Sequence, residues 1–338
     1  MNLSELGAAF GLGPPPRLRP TPSDVVVRDG TASLLRFRSA TTPRDAASTG
    51  LPVVLVPSLI NQWYVLDLRP GASLAGALVD AGFDVWCLDW GAPEPEDRYR
   101  SWTDVLDRLS RMLRRVRRET GAARTGLLGY CMGGTLCAIH TALYPGEVAA
   151  LVDLAGPIDF ARGGALRRMV DRAWFDADAV ADAGNVAPLQ MQAGFVALRP
   201  TVDAAKWMSM PELAGDPAGR EAFLALDAWA SDNIAFPGEA YRTYIGELYQ
   251  DNRLVAGTHR VRGRVADLRA ITCPTLAIVA DRDAICPPAA AIALTEQVGT
   301  TDTAVLRVPG GHVGAVVGSR AAREMYPQLA AWLRPRLT

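Results

Sequence analysis

The chain lacks any run of about 18 apolar residues, so no segment reads as a helix that crosses a membrane. It has only three histidines and five cysteines, the latter at positions 87, 131, 137, 273 and 286. An odd number of cysteines without regular spacing is a poor disulfide framework, and with no Cys-x-x-Cys pair or Cys/His cluster no metal site is expected. Neither sign of charge is in excess: 35 basic residues face 36 acidic ones, for a net charge of -1. The electrostatic footprint of a nucleic-acid binder is therefore missing. The opening stretch MNLSELGAAFGLGPPPRLRP has neither the basic start nor the sustained apolar core of a signal peptide. No internal repeat is visible. Together these absences point to a soluble cytoplasmic protein with reduced thiols and no resident cofactor.

What the sequence does have is apolar residues in quantity, 49% of 338. That suits one α/β domain with an insertion. After a Pro/Gly-rich arm over residues 1–24, short strands are expected at Val25–Val27 and Ser33–Phe37 around an Asp29-Gly30 turn. Strands and helices then alternate. Strands are expected at Pro52–Val56, Asp84–Leu88, Gly126–Tyr130, Val148–Ala155, Thr275–Ala280 and Ala304–Val308. Helices are expected at Ser73–Ala81, Ser101–Glu119, Thr135–Tyr144, Pro288–Val298 and Arg320–Leu333. In the second of these, Trp102, Val105, Leu106, Leu109, Met112, Leu113 and Val116 repeat at the spacing of a single helix face. Such alternation predicts a mostly parallel sheet covered on both faces. The stretch 160–265 interrupts it, and with Trp174, Met191, Trp207, Met208 and Trp229 it reads as a mostly helical cap over the sheet's carboxyl edge. The core is then 25–159 together with 266–338.

Three segments carry chemistry. Gly129-Tyr130-Cys131-Met132-Gly133-Gly134 follows an apolar strand and opens a helix, the setting of a nucleophile elbow. Glycines must flank the central residue because the turn is tight, and the helix N-terminus favours an anion there. Further on, an apolar strand ends in Asp281-Arg282-Asp283, where either aspartate could serve as the acid of a triad. His312 stands among glycines after the last strand, in Gly310-Gly311-His312-Val313-Gly314. Nucleophile, acid and histidine thus follow the chain order of an α/β hydrolase. His140 and His259 lack such a setting and read as structural. Oxyanion donors are expected from the backbone N–H of Met132 and from the loop after Val56, at Ser58 or Leu59. Cys87, Cys137, Cys273 and Cys286 read as core or turn residues, and Arg114-Arg115-Val116-Arg117-Arg118 as a solvated helix face.

At these residues the sequence resembles the polyhydroxyalkanoate synthases, above all the short class III type. Gly129-Tyr130-Cys131-Met132-Gly133-Gly134-Thr135-Leu136 resembles the family's nucleophile box. Leu59-Ile60-Asn61 with Tyr64-Val65-Leu66-Asp67-Leu68, and Cys87-Leu88-Asp89-Trp90-Gly91, are similar to its strand-end segments. Pro237-Gly238-Glu239-Ala240-Tyr241 and Leu248-Tyr249-Gln250-Asp251-Asn252-Arg253-Leu254 resemble its cap. The long N-terminal domain of the class I type is not seen. The resemblance implies Cys131, Asp283 and His312 as the catalytic triad and places substrate contacts at Asn61, Tyr64 and Trp90. It further implies a coenzyme A thioester as substrate, a second synthase subunit as partner, a homodimer or hetero-oligomer, and a place at the surface of polymer granules. Two departures stand out: Asp153 where an apolar strand residue is expected, and Pro57-Ser58 before the Leu-Ile-Asn segment. The expected activity is polymerisation of (R)-3-hydroxyacyl units through a thioester on Cys131. A thiol exchanges one thioester for another at little cost and keeps the acyl group activated. Two other readings remain open at this point: a thioesterase or esterase with the same triad, and a non-catalytic granule-associated subunit of the same fold.

Overall fold

The computed structural model describes residues 15–39, 50–198 and 216–337. Eight strands form one sheet in the order β1-β2-β6-β3-β7-β8-β11-β12. Here β1 is Ser23–Asp29, β2 Ala32–Phe37, β3 Val53–Val56, β6 Val85–Asp89, β7 Thr125–Tyr130, β8 Val148–Leu154, β11 Thr275–Ala280 and β12 Thr303–Val308. The β1–β2 and β2–β6 pairs are antiparallel. From β6 to β12 every pairing is parallel. Strands β3, β7, β8 and β11 are buried along their whole length. Their near-continuous apolar sequences are what a sheet covered on both faces requires. Two small hairpins lie outside the sheet: β4 (Asp67–Arg69) with β5 (Ala72–Ser73), and β9 (Arg260–Val261) with β10 (Arg264–Val265).

The Trp102–Thr120 helix shows how local sequence sets an element. Ser101 caps it reciprocally with Asp104, and Gly121 ends it at φ 69°. All seven residues of its expected apolar stripe are buried. The helix behind the elbow begins at Met132, three residues before its expected start at Thr135. Gly133 and Gly134 read as turn residues in sequence, yet they form the helix's first turn, where the Val56 backbone and the Asp153 side chain leave no room for a Cβ. The arm expected through residue 24 gives way to strand at Ser23, and the last described residues before it are tied to the core. The Thr21 hydroxyl donates to Asp67 Oδ1 at 2.7 Å, and the Arg19 N–H reaches the Leu68 carbonyl at 3.3 Å.

Between 160 and 265 the described residues are mostly helical, with helices at Gly164–Met169, Ala177–Asp182, Pro188–Leu198, Pro217–Ser231 and Gly238–Arg242. The last continues directly into a π-helix, Thr243–Gln250. Of the aromatic and methionine residues singled out in this stretch, Trp229 is buried and Trp174 exposed. Trp207 and Met208 lie outside the described residues. Among the described residues no helix is long and apolar enough to cross a membrane.

Candidate active site

Cys131 sits at the turn between β7 and the Met132–Leu143 helix, with φ 56° and ψ −129°. A side chain pays for positive φ, so the turn persists only because its surroundings demand it. A Cβ at Gly129 would run into the Gly133 backbone, and one at Gly133 into the Val56 carbonyl oxygen. The strand, the helix and the loop after β3 therefore meet backbone to backbone, lifting the Cys131 side chain above the sheet edge. Cys87, Cys137, Cys273 and Cys286 are all buried, while Cys131 is partly exposed. Burial pushes the thiols of Cys87, Cys137 and Cys286 well up, and that of Cys273 to about 11. A buried neutral thiol is a poor nucleophile.

His312 reaches the elbow from the loop after β12. Its Nδ1 lies 2.7 Å from Asp283 Oδ2. The other carboxylate oxygen accepts the backbone N–H groups of Ile285 and Cys286, at 2.8 and 2.9 Å. Asp283 is thus fixed by its own turn, holds the imidazole by Nδ1 and leaves Nε2 for the sulfur. The competing Asp281 turns outward to Arg307, at 3.1 Å. Burial draws the His312 pKa down, but the Cys131 charge, the Asp283 hydrogen bond and a hydrogen-bonding contribution from the sulfur outweigh it, raising the value to about 10. The Tyr130 ring lies over the imidazole, centroids 5.2 Å apart.

The loop after β3 carries the other expected donors. Ser58 and Leu59 are buried, and Met132 is the first residue of the elbow helix. Among the described residues the N–H groups of Met132, Ser58 and Leu59 have no protein acceptor, which leaves them available to an oxyanion. The Trp90 indole N–H donates to the Pro57 carbonyl at 3.0 Å and so props this loop from below. Asn61 donates through Nδ2 to the Asn233 side chain, and the Tyr64 hydroxyl donates to Asp232 at 2.9 Å. The polar ends of Asn61, Tyr64 and Trp90 are thus spent on holding the loop, and none of the three lines the neighbouring cavity.

That cavity, of about 310 Å³, opens between elbow and cap. Ile60 and Met132 belong to its wall on the core side, and Phe175, Met191, Phe236 and Tyr244 to its wall on the cap side. Sequence reasoning passed over two groups near it. Tyr249 occupies a cap segment noted only for its resemblance, Tyr244 lies between two such segments, and no local signal marks either as lining the cavity. Asp153, flagged as an oddity, is fully buried under the elbow. Its Oδ1 accepts the Gly156 N–H at 2.9 Å, and its Oδ2 has no partner among the described residues. Burial raises its pKa well above the ordinary carboxylate value, helped by the Cys131 charge, which favours its protonated form. The remaining histidines are occupied elsewhere: His140 with Ser110 and Glu147, His259 with Glu247.

The α/β-hydrolase fold family matches residues 52–318. A family described as the poly-beta-hydroxybutyrate polymerase (PhaC) N-terminus matches residues 8–77. The chain is 31% identical over 325 residues to the poly(3-hydroxyalkanoate) polymerase subunit PhaC of Synechocystis sp., covering 94% of this chain and 85% of that one. To the subunit of the same name from Allochromatium vinosum it is 32% identical over 292 residues, with 85% and 81% covered. Identity to that of Haloferax mediterranei is 33% over 321 residues, and there the match spans 94% of this chain but 64% of the relative. Among solved structures, a monoglyceride lipase from Saccharomyces cerevisiae superposes with a TM-score of 0.56 at 13% identity, covering 94% of this chain and 96% of that one. The thioesterase domain from the curacin biosynthetic pathway does so at 0.52 and 14%, covering 91% and 99%. These two share the fold alone. On a hydrolase sheet with an elbow cysteine, and with relatives matched along most of its length, the chain belongs to the poly(3-hydroxyalkanoate) polymerase subunit PhaC family.

Proposed function

We propose that this chain polymerises (R)-3-hydroxyacyl groups, taken from coenzyme A thioesters, into a polyester, using Cys131 as acyl carrier. The observation that carries the reading is one partly exposed cysteine on a strained elbow, coupled to a buried His312–Asp283 pair, with an apolar cavity whose wall includes the adjoining Met132. The Cys131 sulfur attacks the thioester carbonyl, with the oxyanion held by the Met132 N–H and one from Ser58 or Leu59. The carbon–sulfur bond to coenzyme A breaks, and the departing thiolate takes its proton from His312. The 3-hydroxyl of a further unit then gives its proton to His312 and attacks the Cys131 thioester. An ester bond forms and the cysteine sulfur is released. Asp283 orients the imidazole throughout. The reading includes association with a second synthase subunit and residence at the granule surface.

The test is to supply (R)-3-hydroxybutyryl-CoA to the full chain, with and without the product of a neighbouring gene, and to follow both coenzyme A release and the fate of the acyl group. Polymer formation supports the reading. Stoichiometric free acid would make the protein a thioesterase, and no release of coenzyme A under either condition would make it a non-catalytic subunit.

A further inference from the structure

The cavity between elbow and cap has room for more than the smallest acyl unit. Its volume of about 310 Å³ corresponds, at about 30 Å³ for each water-sized group, to on the order of ten non-hydrogen atoms. A 3-hydroxybutyryl group has six such atoms, and a 3-hydroxyoctanoyl group has ten. The wall includes Met132, which follows Cys131, and Ile60, which follows the expected oxyanion donors, so an acyl group carried on the sulfur has this space beside it. Further along the wall stand Leu166, Met169, Val180 and Phe236. Its one amide, Gln190, turns its Oε1 to the N–H of Ala187, at 2.9 Å. Its three tyrosines pack as rings, Tyr241 on Phe236 with centroids 5.6 Å apart and Tyr244 on Tyr249 at 5.4 Å. Such a wall gains from each methylene it covers, by about fourfold in binding. A second ester unit in the same space would instead strip water from a carbonyl oxygen.

The helix Pro188–Leu198 closes one side. Its Gln190, Met191 and Gly194 line the cavity at the spacing of a single helix face, while Leu189 and Val196 are exposed. Gly194 stands inside the helix, where only proline is a poorer choice. No close approach demands it, because a Cβ built there meets nothing within 4 Å. Gly133 is the contrast, with backbone pressed against the place its Cβ would take. At Gly194 the missing side chain leaves room, on the face that looks into the cavity.

We propose that this cavity receives the alkyl side chain of medium-length 3-hydroxyacyl units, of about eight carbons, and that Gly194 is the specificity-determining residue that keeps the space open. The inference rests on the acyltransferase reading above. A four-carbon unit fills only about half of the space and forgoes the contacts of the rest. A leucine at Gly194 enters the face shared with Gln190 and Met191 and shortens the cavity, and a helix tolerates it better than the glycine it replaces.

The experiment compares acylation of the full chain by (R)-3-hydroxybutyryl-CoA and by (R)-3-hydroxyoctanoyl-CoA at subsaturating concentration, reading coenzyme A release in a single turnover. Wild type should favour the eight-carbon substrate by at least about tenfold. Gly194→Leu should lower that ratio by on the order of tenfold, by slowing the longer substrate and leaving the shorter one nearly constant, and Gly194→Ala should lower it by less. Because the readout is a ratio within one preparation, partial misfolding lowers both rates together and leaves it intact. Should Gly194→Leu not fold, Gly194→Ala alone decides. A wild type that favours the four-carbon substrate overturns the length assignment, and an unchanged ratio in active variants overturns the role of Gly194; either result leaves the acyltransferase reading in place. A wild type that releases coenzyme A from neither thioester overturns both.

Discussion

At the scale of single residues, the chemistry turns on one sulfur and one ring. Cys131→Ala should abolish both turnover and covalent trapping of a radiolabelled acyl group, and label retained elsewhere on the chain would refute the assignment. Cys131→Ser keeps the geometry but converts an activated thioester into an unactivated ester, so acylation should survive at a low level while chain extension falls at least a hundredfold. The alanine variant also tests the electrostatics. His312 is raised to about 10 from an unfolded value near 6.5. A histidine raised by folding contributes stability in full below the unfolded value and loses it as pH climbs through the folded one. Wild type should therefore lose stability between about pH 6.5 and 10, and Cys131→Ala, lacking the main cause of the rise, should lose less. Urea unfolding at both ends of that window measures the difference; equal losses would mean the sulfur does not set the imidazole's charge. Asp153 acts in the same direction, in a window that starts lower. Its folded pKa is raised, so wild type loses stability as pH rises above the unfolded carboxylate range near 4. Asp153→Asn keeps an acceptor for the Gly156 N–H and should be the more stable protein at pH 8, with the advantage gone at pH 4. An asparagine variant no more stable at pH 8 would show that the buried carboxyl finds its compensation elsewhere.

At the scale of elements, the sheet was readable because period and composition agree. Val53–Val56 and Thr275–Ala280 are short apolar runs with no competing helical pattern, and the Trp102–Thr120 stripe matches one helix face along its length. Cys131, Asp283 and His312 were legible for a related reason: each follows a strand whose end is visible in the sequence, and their order is that of the fold. Two things resisted reading. Gly133 and Gly134 look like a turn, since their requirement comes from β3 and Asp153, which are distant in sequence. The π winding of Thr243–Gln250 leaves no composition signal, and its contacts, Phe160 and Trp102 against Tyr244, come from segments distant in sequence. The glycine requirement can be checked directly. In Gly133→Ala the new methyl has only backbone to displace, the Val56 carbonyl, so the elbow must separate from the loop after β3. The expected result is a loss of about 1–3 kcal/mol of stability and of nearly all activity. Ser101→Ala removes the cap of a remote helix at about 1 kcal/mol and should leave specific activity intact. If the two variants lost activity in proportion to their stability, the tight elbow contact would have no catalytic meaning.

At the scale of the whole molecule, the cap and the core are joined at the point where catalysis needs rigidity. The loop after β3 is tied to the end of the Pro217–Ser231 helix and the residues beyond it by several hydrogen bonds. The Trp229 indole donates to the Gln62 carbonyl at 2.9 Å, the Ile234 N–H to the Ile60 carbonyl at 3.3 Å, the Tyr64 hydroxyl to Asp232, and Asn61 to Asn233. A cap held in this way fixes the roof of the acyl cavity and, through the same residues, the loop that carries the expected oxyanion donors. Under the proposed function Asn61 and Tyr64 would act on the substrate at one remove, which separates two views of what they do. Were Tyr64 a direct substrate contact, Tyr64→Phe would chiefly raise KM. As a tie between cap and loop it should chiefly lower kcat, by about tenfold, because a small misplacement of the oxyanion donors weakens transition-state binding more than ground-state binding. Asp232 stays hydrated in the variant, so stability should fall by no more than about 1 kcal/mol. Steady-state kinetics on (R)-3-hydroxybutyryl-CoA with thermal unfolding of the same preparation decides between the two, and an unaltered kcat with a raised KM would return Tyr64 to the substrate pocket.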